Sequence, residues 1–313
     1  MALKELPRAA ASAGRTTAGR RSSRTGRTAR RDDAMFVGPA VLLFGGILGA
    51  GFILGLWYSL VEWNGVNREM TFIGLENYAT LLSDDRMRGS AWFTARFALV
   101  TTVLSNLMGL GLALLVTQPA PFQRLYRAMF FLPNVIGGIL LGFIFRFVFS
   151  TAFDSLGELT GVGLFQLPWL GTPATGFWGT VIVFMWRSSG YLMAIYVAAI
   201  VSVDEDLYEA ARVDGANWLQ STRRITLPLI MPAVTVGVFL MLSISSKLFD
   251  VIFALTNGGP YGSTEAFALN IYNEAFIYNN LGLASAKAVV FFVAVGVLTL
   301  VQVRFTQRRE VER

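Results

Sequence analysis

Apolar positions in this chain gather into long runs, rather than alternating with polar ones as in an amphipathic helix or a half-buried strand. Six runs stand out, at about 35–60, 92–117, 128–150, 176–201, 229–255 and 284–303. Each holds roughly the 20 residues that a helix needs to cross a hydrocarbon core about 30 Å thick. The pattern predicts an all-α integral membrane protein with six transmembrane helices.

Composition points the same way. Of the 313 residues 54% are apolar and 15% charged, whereas soluble domains carry about 25% charge. Cysteine and histidine are both absent. Their absence excludes disulfides, thiol nucleophiles, imidazole bases and the usual zinc ligands.

The net charge of +6 is unevenly placed. Nine basic residues lie between Lys4 and Arg31; with Arg124, Arg127, Arg212, Arg223, Arg224, Arg304, Arg308, Arg309 and Arg313 they make 18 of the 26. The 61–91 segment has three basic residues beside five acids, and 151–175 has Asp154 and Glu158 with no base. Positive charge collects on cytoplasmic loops, so the alternation predicts six spans with both termini cytoplasmic. It reads as topological charge rather than a nucleic-acid surface. Residues 1–34, rich in Ala, Gly, Ser, Thr and Arg, are expected to be a disordered tail that sets topology, with contact to anionic membrane lipid as the other use of its arginines. The 36–60 run is too long for a signal-peptide core and is read as a retained span. The domain reading is a tail at 1–34, a six-span transmembrane domain at 35–305 containing a cytoplasmic loop at 202–228, and a C-terminal tail at 306–313.

Small residues recur at four-residue spacing in Gly45/Gly49, Gly51/Gly55 and Gly138/Gly142, a spacing that lets helices approach closely in lipid. Pro133, at the start of the third run, removes a helical hydrogen bond. In the 202–228 loop, Ser202 and Asp206 each stand three residues before a glutamate, the capping-box spacing. Leu207, Ala210 and Ala211 share one helical face, Gly215 suits a helix end, and Pro228 closes the segment. Helix physics alone leaves two readings open: a helix lying on the membrane surface, or one inserted into a groove on another protein.

The residue pattern separates them. Glu209-Ala210-Ala211, then three residues, Gly215, nine residues and Ile225-Thr226-Leu227-Pro228 resembles, without a gap, the signature loop of ABC-importer permease subunits. Phe131-Leu132-Pro133-Asn134, then Lys247, Phe249 and Asp250, Leu255-Thr256-Asn257-Gly258-Gly259-Pro260 and Ile73-Gly74-Leu75-Glu76-Asn77-Tyr78 resemble segments of the maltose- and multiple-sugar-type permeases. The likeness covers most of 36–305 and departs from the maltose type in lacking a large inserted external domain.

The resemblance implies a type I ABC importer permease fold in the cytoplasmic membrane of a prokaryote. It implies one half of an alternating-access pathway of an ATP-driven importer for a sugar, expected to be an oligosaccharide, with Glu209, Ala210, Ala211, Asp214 and Gly215 docking on the ATPase. The expected partners are a second homologous permease, two copies of an ATP-binding cassette ATPase and an extracytoplasmic sugar-binding protein. Substrate contacts carried over by the ungapped motif fall on Asn134, Gly138, Arg187, Ser188, Tyr191, Met241, Ser245 and Leu248. No cofactor is expected in this chain, ATP and Mg being bound by the partner. None of its three lysines follows a glycine as a phosphate-binding loop requires, so it is not expected to be an enzyme.

Of the charges inside the expected spans, Arg146, Arg187, Lys247 and Asp250 are the candidates singled out, because a central charge costs roughly 2.5–3.5 kcal/mol on the insertion scale. Arg146 is expected to snorkel, Lys247 and Asp250 to pair along one helix face, and Arg187 to line a cavity. Two alternatives stay open: an ABC permease for a non-sugar cargo such as glycerol phosphate or a peptide, and a secondary transporter.

Overall fold

A computed structural model describes residues 25–118 and 122–310. It divides into residues 1–53 and 54–313. The described part of the first unit belongs to helix α1 (Thr25–Tyr58), whose last 22 residues are apolar enough to cross a membrane. Residues 25–34, assigned to the tail from their composition, are helical, and Ala and Arg in this stretch are good helix formers. The tail before them and residues 311–313 lie outside the described residues.

In the second unit a short antiparallel hairpin, β1 (Val61–Glu62) and β2 (Thr71–Phe72), is followed by α2 (Glu76–Leu82). Asn77 on α2 is buried and donates to the carbonyls of Ser59 (2.9 Å) and Val61 (3.0 Å), fixing the hairpin to α2. Helix α3 (Asp85–Val116) is N-capped by Asp84, which accepts from the Met87 N–H.

The third apolar run does not form one helix. It folds as α4 (Gln123–Val135), two extended residues, and α5 (Gly138–Phe147), which continues through a π-helical turn into α6 (Phe153–Thr160). The span is therefore Gly138–Thr160, later in the chain than 128–150. Pro133 lies inside α4, and the helix ends two residues after it.

Helix α7 (Pro173–Val201) is unbroken and opens with a Thr172/Thr175 capping box. After α8 (Glu205–Val213) and α9 (Trp218–Ser221), a π-helical turn leads to α10 (Leu227–Leu229) and α11 (Met231–Ser246), with a 68° bend at Ile230. The fifth run then breaks at 247–249 before α12 (Asp250–Leu255). Helices α13 (Phe267–Tyr272) and α14 (Leu281–Glu310) complete the unit. Five helices among the described residues are long and apolar enough to span a membrane, and the bent pair makes the sixth.

The core of the unit lies where α3 and α7 pack along their length. Phe97 meets Phe184 edge-on at 5.4 Å between centroids, and Tyr196 donates to the Asn106 side chain. Helix α11 packs against both α3 and α7, with Gly237 beside Tyr196 and Asn106, and α12 lies against α5. The small residues Gly138 and Gly142 make that last approach possible: a Cβ at Gly142 would sit 2.6 Å from the Ala254 methyl.

Candidate functional site

Two helix breaks face the middle of α7. At Ile136 and Gly137 the backbone is extended, and at Phe249 it turns out of helix with φ −130°. Interrupted helices within a membrane protein are tolerated where they meet protein or a cavity. Here they border an open pocket of about 440 Å³. Asn134 reaches it from α4, Arg187, Ser188 and Tyr191 from α7, and Met241 and Leu248 from α11 and the break that follows it.

Six of the eight residues expected to contact substrate thus line one cavity. Gly138 adjoins it, since a Cβ there would collide with the Asp250 carboxylate and crowd Arg187. Ser245 does not line it. It is buried and returns its hydroxyl to the Met241 carbonyl at 2.6 Å.

The pocket lining mixes polar and apolar side chains. Arg187 Nη1 donates to Asp250 Oδ2 at 3.1 Å, and the two side chains remain 26% and 36% exposed. Asp250 begins α12, where the positive end of the helix dipole favours a carboxylate. Ser188 donates to the Phe184 carbonyl at 2.7 Å and meets the Ser105 hydroxyl at 2.9 Å. Buried Met241 and Leu248 are among its apolar members.

The expected Lys247–Asp250 pair is not formed. The break at 247–249 removes the shared helix face, Asp250 turns to Arg187, and Lys247 lines the pocket, exposed and without an ion pair among the described residues. Arg146 is exposed, but with the span shifted to Gly138–Thr160 it lies well inside the span rather than near its end, where a snorkelling side chain is expected.

Helix α8 carries the second group of candidates. Its N-cap is Asp204, whose carboxylate accepts from the Asp206 N–H at 3.1 Å, and α9 starts with an Asn217/Gln220 capping box. The caps expected at Ser202 and Asp206 are displaced because α7 runs to Val201 and uses Ser202 as its own C-cap. At the other end Gly215 has φ +77°, the Ala216 N–H reaches the Ala211 carbonyl (2.9 Å) and the Gly215 N–H that of Arg212 (3.1 Å). This is the Schellman ending for which glycine is favoured. None of α8 is buried; Glu209, Ala210, Asp214 and Gly215 are exposed and Ala211 half-buried. A 3.0 Å hydrogen bond between Tyr208 and Thr226 ties α8 to the turn that leads into α11.

A further ionic cluster lies among residues that the sequence reading passed over. Lys287, on α14, is fully buried and meets Asp84 (2.7 Å), Glu274 (2.8 Å) and Asn270 (3.0 Å). Beside it, buried Glu265 takes two bonds from Arg86, at 2.6 and 2.9 Å, and others from Asn270 and Asn273. Burial raises the Asp84 pKa, but the Lys287 ammonium and the Met87 N–H outweigh it and hold the carboxyl below its ordinary 3.8. The signal that would have found the cluster is a lysine inside the sixth apolar run.

Over residues 105–311 the chain matches the family described as binding-protein-dependent transport system inner membrane component. The chain belongs to this family. It is a multi-pass inner-membrane permease. Among its relatives, the probable starch degradation products transport system permease protein AmyD of Thermoanaerobacterium thermosulfurigenes is 44% identical over 278 residues, 89% of this chain and 94% of the relative. The trehalose/maltose transport system permease protein MalF of Thermococcus litoralis is 30% identical over 77% of this chain and 84% of its own length. In three dimensions the permease is similar to a chain of a bacterial ABC transporter involved in the import of the acidic polysaccharide alginate. The TM-score is 0.78 at 21% identity, covering 91% of this permease and 99% of that chain. Its fold is the ABC importer permease fold.

Proposed function

We propose that this permease forms half of the translocation pathway of an ATP-driven importer of saccharides, with the Arg187 pocket on the cargo's route. The observation that carries the reading is the pocket itself: hydrogen-bonding groups interleaved with aromatic and apolar side chains, at two helix breaks. Sugar hydroxyls need donors and acceptors in fixed places while their rings stack on aromatic faces, and ligand sites of this kind are commonly about 300–1,000 Å³ in volume. The starch-product and maltose systems named for two relatives support the cargo class.

A second permease completes the pathway, an extracytoplasmic binding protein delivers the sugar, and two ATPase subunits, which hold ATP and Mg, drive the cycle. Both termini and the α8–α9 segment face the cytoplasm, in keeping with the placement of basic residues. The exposed helix α8 enters a groove on one ATPase through Glu209, Ala210, Ala211, Asp214 and Gly215. The Tyr208–Thr226 bond passes its movement to the turn before α11.

The test is ATP-dependent uptake of labelled maltohexaose into vesicles bearing the assembled complex, with Gly215→Val as the comparison. At φ +77° a β-branched residue is strained, so the helix ending is lost. Uptake that needs ATP and disappears in the assembled variant supports the reading. Uptake without ATP, or indifferent to the substitution, sinks it.

A further inference from the structure

Beside the Arg187 pocket lies a second open cavity of about 690 Å³, at the end of the unit where α13 and the π-helical turn after it meet the loop following α12. Its charges cancel: Arg86 and Glu265 both reach it and are bound to each other. What remains is aromatic and amide, with Tyr261, Tyr272, Tyr278 and Phe253 around it and Asn257 and Asn273 between them. Tyr261 is fully exposed and Tyr278 53% exposed, and the Arg86 guanidinium holds the Tyr278 ring from one side at 4.5 Å. Tyrosines present an apolar face with a polar tip.

The two cavities are joined by aromatic rings. Phe249 lines the Arg187 pocket and Phe253 the second cavity, one helical turn on. Their rings stack with centroids 5.4 Å apart and planes at 19°, and Tyr272 touches both, at 5.4 and 5.7 Å. All three side chains are partly open.

We propose that the second cavity is an outer subsite for uncharged oligosaccharide chains, and that Phe249, Phe253 and Tyr272 form a continuous stacking track from it to the Arg187 pocket. The proposal deepens the saccharide reading and rests on it. A net-neutral, aromatic- and amide-lined cavity suits a sugar without carboxylates. A chain long enough to occupy both cavities gains from the second contact as a tethered ligand does, whereas a disaccharide fills one at a time.

The experiment compares maltose with maltohexaose in ATP-dependent uptake by the assembled complex with its binding protein, in wild type, Tyr278→Ala and Tyr261→Ala. Tyr261 is wholly exposed, so its removal does not disturb packing. The expected result in both variants is a KM for maltohexaose raised about tenfold, equivalent to about 1.4 kcal/mol, with maltose shifted far less. Tyr278→Phe, which keeps the ring, restores the maltohexaose value. An equal loss for both sugars marks the surface as one that docks the binding protein and overturns the subsite, as does no change for either. If the wild type takes up neither sugar, the saccharide reading fails first and the subsite with it.

Discussion

Lys287 is fully buried and holds three oxygen partners within 3.0 Å, whereas Arg187 keeps a quarter of its side chain open and meets a single carboxylate at 3.1 Å. Both are cations inside apolar helices, and they are treated in opposite ways. Around Lys287 the carboxylates of Asp84 and Glu274 close the shell, and the neighbouring Arg86–Glu265 pair is bidentate. Around Arg187 the shell is left incomplete, and Lys247 stands beside it with no ion pair among the described residues. A closed shell ties distant parts of the chain together, here the start of α3 to α13, α14 and the turn between them. An incomplete shell leaves donors free for something that comes and goes. A charge within a membrane span can thus be purely structural, and unfilled hydrogen-bonding capacity is what separates Arg187 from Lys287.

Opening the closed cluster gives the largest expected effect. Lys287→Met leaves Asp84 and Glu274 facing each other without their shared cation, and loss of one partner of a buried ion pair costs about 3–5 kcal/mol. Thermal unfolding of the purified complex should show a clear drop in midpoint. An unchanged midpoint would remove the contrast between the two sites. Glu265→Gln is milder, because the amide oxygen still accepts from Arg86 while the charge is lost. The expected destabilisation is about 1–3 kcal/mol, read by the same measurement.

The smallest effect is that of acid. The Asp84 carboxyl sits below its ordinary value when folded, so its contribution is complete above about pH 3.8 and is lost as pH falls through the lower folded value. Unfolding midpoints followed into that range should fall less steeply in Asp84→Asn than in the wild type. Parallel curves would mean that Asp84 is not the titrating partner.

Much of this architecture was legible in the chain because a membrane span announces itself by length. All six runs correspond to described helices, and Pro133 marked the break after α4. Helix α8 was legible too, because Gly215 and the Glu209-Ala210-Ala211 triplet keep their spacing regardless of packing. The break at 247–249 was not, since Ser246, Lys247, Leu248 and Phe249 include neither glycine nor proline. Packing of α12 on Gly138 and Gly142 accompanies that break, and it turned Asp250 away from Lys247 towards Arg187. Lys287 was hidden for a different reason. A single cation is averaged away in a long apolar run, and its partners lie in segments up to about 200 residues distant. Arg187, by contrast, was visible because Trp186, Ser188, Ser189 and Tyr191 surround it in the sequence.

The measurement that most directly tests the division between the two sites is a paired one on Arg187→Gln: the unfolding midpoint of the assembled complex and its ATP-dependent uptake of maltohexaose. The Arg187–Asp250 pair is partly open to the pocket and singly bonded, and ion pairs that reach solvent contribute roughly 0–1 kcal/mol. The expected result is a midpoint close to wild type together with uptake reduced at least tenfold, the loss of about 1.4 kcal/mol of transition-state binding. A midpoint that collapses as in Lys287→Met, or uptake that survives intact, would contradict it.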